Sequence, residues 1–411
     1  MKTFKHRHLL TVIVSSLLLA GLAVQAQAQV QAQDTIKIGM TSALTGPFNE
    51  FGEGNRRGVV LAIEMFNKNG GLNGRKAELA EALDDQLVPD RAVQNMRRIL
   101  DNKNIVAIIA PAGSGPALAT MDMLEADGRP VCNALAQSPQ VTLKNGEGKP
   151  PRANIVSVAV TNKAEAAALS QVLGAKYKSV GILHESTAYG VTGTQMVQAE
   201  LLAKNPAIKV EVEAYNQRSQ DMASQVARMQ RANVDAVLVI GLGADFAVIR
   251  KNISRANLKF DIYGSAGAVT PPYIEGAGDL TLGTRTMSPI AFAARPLQPT
   301  AQTFVDQYRA AHGTDRWYGS DEANPQMTLG TIVGHGYDCA RILLESMRVA
   351  GTTERGAVIA AMNKMNNFKG VTINSLSFSP SNHDAFGAKD LGLFEMSKGK
   401  DGKIFMSPVK E

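Results

Sequence analysis

The chain of 411 residues is 45% hydrophobic and 19% charged, enough apolar surface for a sizeable core, which excludes a disordered or fibrous protein. Its 43 Lys and Arg against 37 Asp and Glu give a formal charge of +6, falling to +3 without Lys2, Lys5 and Arg7; this excess is unclustered and not interleaved with aromatic residues, which argues against a nucleic-acid surface. Two cysteines 207 positions apart, Cys132 and Cys339, exclude a disulfide-stapled mini-fold and any CxxC centre.

Residues 1–8 (MKTFKHRH) are basic, Leu9–Val24 is an apolar run, and Ala26-Gln27-Ala28 offers a small-x-small cleavage site: the make-up of a secretory signal peptide over 1–28. The run is shorter than the ~20 residues of a membrane-spanning helix. Later apolar stretches such as Val237–Leu242 are strand-sized, so the mature chain is expected to be exported and to work outside the cytoplasm, not inserted in the membrane.

Ile36–Met40 reads as a short strand, and Val59, Val60, Ala62, Ile63 and Phe66 fall on one helical face, followed by the loop Asn69–Gly74. Ala92, Val93, Met96, Ile99 and Leu100 form a second helical stripe. Ile105–Ala110 is the unbroken apolar run of a parallel strand covered on both faces. Asn162 with Glu165 three positions on predicts a capping box opening a helix over 163–174. Val180–Leu183, the alternating Ile208, Val210 and Val212, Ala236–Ile240 and Ile262-Tyr263 continue the strands. Strands alternating with helices of this length predict an α/β protein with doubly wound parallel sheets, two of them at this chain length. Cys132 and Cys339 fall in a strand and a helix and read most simply as buried small hydrophobes, although an oxidising compartment leaves pairing open.

Catalytic signatures are missing. Ser114 lacks the flanking glycines of a nucleophile elbow, since Ala112 and Pro116 occupy those places. His184, His312, His335 and His383 form no HExxH and no close pair on one helix face. Gly52-Glu-Gly54 followed by Gly58 is one residue too long for a dinucleotide fingerprint, and no Walker lysine follows a Gly-rich turn. Asp84 and Asp85, adjacent on a strand, point to opposite faces and cannot flank one substrate bond. The expectation is a protein that is not an enzyme, with no cofactor and no metal.

The turn Ala110-Pro-Ala-Gly-Ser-Gly-Pro116 lies between a core strand and a helix expected to start near Pro116, a residue suited to the first helical position. Ser114 and several main-chain amides then sit at a helix N-terminus beyond a strand's carboxyl end, where amides and helix dipole favour an anion. A plain capped Ser/Gly turn has the same sequence.

Segment 36–74, with Ile36-Lys-Ile-Gly-Met40, Leu44-Thr-Gly-Pro47, Gly52 and Asn67 through Gly-Gly-Leu-Asn-Gly-Arg75, resembles the periplasmic binding proteins of branched-chain amino acid ABC importers, the leucine/isoleucine/valine-binding type. Asp84-Asp85 with Pro89 and Ala92, the Ser114 turn, His184-Glu185 through Tyr189-Gly190, Arg255–Lys259, Tyr337-Asp338 and Phe368–Thr372 continue the resemblance in order. It implies the type I periplasmic binding protein fold: two lobes, 34–155 with 286–367 and 156–285 with 368–411, joined by three crossovers near 153–160, 282–290 and 366–374. It further implies a small-molecule ligand in the cleft, an inner-membrane ABC permease as partner and a monomer; a ligand-sensing receptor of the same fold is the alternative.

Position by position, the resemblance implies that Ser114 binds a ligand carboxylate, that Phe51 packs on the ligand, that Leu135, Ala136 and Gln137 form a second carboxylate loop, and that Tyr189 walls the second lobe. Gly243 and Asp245 in one turn and Ala266 in another complete the expected site. Ala266 stands where the amino-acid binders carry a glutamate for the ligand ammonium, Gln137 where a Thr is usual, and Val156-Ser157 where Phe-Arg is common. An unpaired buried ammonium costs several kcal/mol, so the expected ligand is a carboxylate without a required amine, an aromatic or aliphatic acid, ahead of amino acids. Asp245 is the nearest replacement anion, though it reads first as a helix N-cap. The two cysteines do not occupy the positions of the family's disulfide.

Overall fold

The computed structural model describes residues 35–146, 148–292, 296–315 and 332–409; the signal peptide expected over 1–28 lies outside them. In its first part β1 (Ile36–Ser42), α1 (Asn49–Lys68), β2 (Ala77–Asp84), α2 (Pro89–Asp101), β3 (Ile105–Ile109), α3 (Ser114–Asp127), β4 (Val131–Asn133) and β5 (Ile155–Ser157) alternate. Their strands form a five-stranded parallel sheet in the order β2-β1-β3-β4-β5.

The second part begins with α4 (Asn162–Lys176) and runs through β6 (Ser179–Glu185), α5 (Ala188–Lys204), β7 (Lys209–Tyr215), α6 (Ala223–Arg231), β8 (Ala236–Ile240), α7 (Gly243–Arg255), β9 (Asp261–Gly264), α8 (Pro271–Ala277) and β10 (Arg285–Pro289). Then follow α9 (Pro299–His312), α10 (Gly334–Ala350), α11 (Arg355–Met362), β11 (Leu391–Lys398) and β12 (Ile404–Pro408). The second sheet has seven strands in the order β12-β11-β10-β9-β8-β6-β7. It is parallel from β7 to β10, as the alternating pattern predicts, and β11 and β12 join antiparallel at one edge. A tight hairpin suffices to pair β11 with β12, whereas another parallel strand would need a helical crossover. Among the described residues no helix is long and apolar enough to cross a membrane.

Local chemistry explains the elements. All five residues of β8 are buried, as its unbroken apolar run requires between helical layers, while edge strand β7 leaves Lys209 and Ala214 exposed. Helix α4 starts one residue earlier than the capping-box reading has it: Thr161 is the cap, its Oγ1 accepting from the Ala164 N–H at 3.2 Å, and Glu165 turns elsewhere. Pro116 is the third residue of α3, not its first; Ser114 opens the helix. A first-turn amide has no intrahelical acceptor, so a proline there removes no helical bond.

Helix α10 lies against α1 almost backbone to backbone. A Cβ on Gly58 would stand 2.0 Å from the Val333 carbonyl oxygen, and one on Gly336 2.4 Å from that of Asn55, so both glycines are needed for the contact. Cys132 of β4 is bonded to Cys339 of α10, with Cα atoms 5.5 Å apart, which settles the pairing that the sequence left open. The next side chain, Asp338, accepts from the Val371 and Thr372 amides at 2.9 and 3.0 Å and from the Thr372 hydroxyl at 2.8 Å. The Tyr337-Asp338 and Phe368–Thr372 motifs thus meet, fastening the segment after α11 to the helix that the disulfide fastens to the first sheet.

Candidate functional site

The carboxyl ends of the strands of both sheets face one cavity of about 230 Å3, the place where open α/β sheets bind ligands. Its volume lies below the ~300–1,000 Å3 of pockets for drug-sized molecules, which suits a small metabolite. The first sheet contributes Phe51, Leu87–Pro89, Ala112–Pro116, Leu135 and Gln137; the second contributes Glu185, Thr187, Tyr189, Gln217, Arg218, Leu242 and Gly267. The walls are largely apolar with a few polar groups among them, the usual composition of a ligand pocket.

Ser114 is buried at the first residue of α3, and its Oγ accepts from the Gln137 and Ser138 amides at 3.2 and 3.1 Å. With its acceptor positions filled, the hydroxyl proton is left to donate. Beside it the first-turn amides of α3 have no intrahelical acceptor. This wall therefore presents donors and the positive end of a helix dipole, and it fits a carboxylate.

The opposite wall carries Glu185, the last residue of β6, which is 1% exposed. Its Oε2 accepts from the Gln217 amide at 2.8 Å and its Oε1 from the Thr187 hydroxyl. Burial pushes this carboxyl up to about 7; the two hydrogen bonds oppose the rise and the nearby Asp245 charge adds to it. An acid therefore lines the cavity at Glu185, whereas the sequence reading named Asp245 as the nearest replacement for the glutamate absent at Ala266.

Ala266 lines a smaller adjoining cavity together with Phe51, Leu135, Gln137 and Gly267, and not the main one. Its amide donates at 2.6 Å to Oε1 of Glu165, a buried carboxylate of α4, so a carboxylate meets the 264–267 turn from a different chain position. Tyr189 is buried over Gly267, where a Cβ would come 2.9 Å from the phenol oxygen.

The other expected residues stand behind the wall. Ala136 is buried in the core under the first sheet, its amide and carbonyl bonded to the Asn133 side chain at 3.0 and 2.7 Å. Gly243 opens α7 against Thr270. Asp245 is not the N-cap, a position held by Leu242; it lies in the first turn of α7 and its Oδ1 accepts from the Arg218 amide at 2.9 Å. Burial pushes Asp245 up to about 6 against that bond and the Arg218 charge. Its contribution is to hold the loop that brings Gln217 and Arg218 to the cavity.

Sequence reasoning left out Glu185 as a site residue, with Gln217, Arg218 and Leu87–Pro89. The signal for Glu185 was available: an acid at the carboxyl end of a buried parallel strand stands where such sheets bind ligands. Among the described residues no cluster of His, Cys, Asp and Glu could hold a metal ion.

Comparison with known proteins adds a second line. A model of the periplasmic binding protein family matches residues 35–401. The leucine-, isoleucine-, valine-, threonine- and alanine-binding protein of Pseudomonas aeruginosa is 24% identical over 365 residues, covering 87% of this chain and 90% of that protein. A solved structure of a type 1 periplasmic binding protein from Bordetella pertussis is 51% identical, with a TM-score of 0.87 over 92% of this chain and 100% of the other. The leucine-binding protein LivK of Thermotoga maritima, 21% identical with a TM-score of 0.77, covers 91% of this chain and 98% of its own, and shares the fold.

Proposed function

The chain belongs to the periplasmic binding protein family, and from that premise we propose that it captures a small apolar amino acid outside the cytoplasm and delivers it to an inner-membrane ABC permease. One observation carries this reading: a single cavity has carboxylate-binding donors at Ser114 on one wall, the buried carboxylate of Glu185 on the other, and apolar sides between them. A zwitterion with a hydrocarbon side chain matches all three surfaces, whereas a simple organic acid leaves Glu185 desolvated without a cation. The relatives named for leucine, isoleucine and valine support the same class.

The two lobes are taken as 34–155 with 286–367 and 156–285 with 368–411, a division that cuts through β5 (Ile155–Ser157) of the first sheet and β10 (Arg285–Pro289) of the second, and they are taken to hinge at the segments near 153–160, 282–290 and 366–374. A ligand touched by both lobes stabilises the closed form by its differential affinity, and the permease reads that form. Titration calorimetry of the purified protein against leucine, isoleucine, valine and phenylalanine, each beside its des-amino acid, tests the reading. At least one amino acid should bind about tenfold or more tighter than its des-amino counterpart. Binding of the des-amino acids alone would overturn the amino-acid assignment.

A further inference from the structure

We propose that Glu185 is the group that pairs with the ligand's ammonium, so that this carboxylate selects amino acids over plain acids and binding releases a proton; the proposal rests on the amino-acid reading above.

Three buried carboxylates stand on this side of the cleft: Glu165, Glu185 and Asp245, which are 3, 1 and 2% exposed. Only Glu185 lines the main cavity. Glu165 faces the Ala266 amide and Asp245 faces the Arg218 amide, each bond turning a carboxylate oxygen into the protein. Glu185 instead receives two neutral donors, Thr187 and Gln217, that also line the cavity and fix its carboxylate there.

The charged and titratable groups facing Glu185 include no committed cation. From α7 comes Asp245, a like charge; from β7 the phenol of Tyr215 and from α5 that of Tyr189. The nearest cationic side chain in the lining, Arg218, is exposed, donates to the Gln86 carbonyl at 3.1 Å and lies over the Phe48 ring. Among the described residues no ion pair reaches Glu185. A desolvated carboxylate without a counter-charge either takes up a proton or waits for a cation from outside.

An ammonium entering the cavity supplies that cation. Glu185, held near neutrality when alone by its burial, gives its proton to the solvent and stays ionised beside the ligand. The balance is one proton lost from the Glu185 carboxyl, none lost from the ammonium, and one ion pair formed.

The test uses the mature protein with leucine and 4-methylpentanoate, its des-amino isostere, as probes, and the Glu185→Gln variant, which keeps the shape and an acceptor oxygen for Gln217 while its amide nitrogen can donate to the Thr187 hydroxyl, but which lacks the charge. Wild type should prefer leucine by about tenfold or more, and E185Q should lose most of that preference by weakening leucine while 4-methylpentanoate changes by less than about threefold. Calorimetry of wild type at pH 7 in two buffers of different ionisation enthalpy should show net proton release with leucine and none with the acid. E185Q binding leucine as wild type does would overturn the Glu185 assignment and leave the amino-acid reading standing. If E185Q fails to fold, wild type alone decides: leucine bound without proton release, and with equal affinity from pH 5.5 to 8, also overturns it. Wild type that binds only 4-methylpentanoate would overturn the amino-acid reading itself.

Discussion

Arg218 and Gln86 meet across the mouth of the cleft, the guanidinium donating to the main-chain carbonyl at 3.1 Å and joining the loop after β7 to the loop after β2. Both residues, with Leu87, hold left-handed backbone angles, φ of 64° at Arg218, 52° at Gln86 and 59° at Leu87. Such conformations cost of order 1–3 kcal/mol each in residues other than glycine. Each is held by a carboxylate: Asp84 accepts from the Gln86 amide at 3.2 Å, Asp85 from Leu87 at 2.9 Å and Asp245 from Arg218 at 2.9 Å.

Truncating this contact should act on release. Arg218→Ala removes the hydrogen bond to the Gln86 carbonyl and the guanidinium over the Phe48 ring, 5.4 Å from its centroid. Arg218 is exposed, so stability should change little. Ligand dissociation followed by stopped-flow fluorescence should accelerate about three- to tenfold with the association rate nearly unchanged. An unaltered dissociation rate would show that the two loops meet without holding the cleft shut.

Ser114→Ala should cost both affinity and some stability, because one oxygen serves two purposes. It strips the acceptor from the Gln137 and Ser138 amides and the donor from the cavity wall. A hydrogen bond to a charged carboxylate contributes ~1.5–3 kcal/mol, so affinity should fall tenfold or more by calorimetry. The melting temperature should drop as well, since the buried Ser138 amide and the half-buried Gln137 amide lose a partner. Unchanged affinity would remove Ser114 from the site.

Much of this site could be read from the amino-acid sequence, and what could not has a common cause. Ile105–Ala110 followed by small residues and Pro116 marks a core strand, a turn and a helix in one local stretch, so the Ser114 wall was legible. Glu185, Gln217 and Arg218 come from the ends of two different strands, and only the order of the second sheet brings them together. The Cys132–Cys339 bond spans 207 residues and depends on α10 settling over β4, which no local pattern encodes. Thr161 and Asn162 are both good caps with Glu165 nearby, and tertiary contact with Ala266 decided between them.

Glu165 should make the ligand-free protein less stable as pH rises. Burial lifts its carboxyl from 4.5 to about 7 in the folded chain, with the Ala266 amide opposing. A folded-state value above the unfolded one means that the stabilisation is complete below about 4.5 and is lost as pH rises through about 7. Glu185 acts with the same sign over the same window. Wild type should therefore melt lower at pH 8 than at pH 5.5, and Glu165→Gln, which can still accept from Ala266, should flatten that slope by about 2–5 °C. Parallel pH profiles for the two proteins would mean that Glu165 does not carry the effect.

Replacing both cysteines in C132A/C339A should weaken the first sheet without emptying the cleft. The bond ties β4 to α10, and through the adjacent Asp338 the same helix holds Val371 and Thr372. Losing a native disulfide typically costs about 2–5 kcal/mol, so the midpoint of chemical unfolding should move down accordingly. Neither cysteine lines the cavity, and the amino-acid affinity of the folded variant should stay within about threefold of wild type. A larger loss of affinity with little loss of stability would show instead that the bond acts on the lobe motion, with Asp338 and the 371–372 segment passing a change in α10 to the cleft.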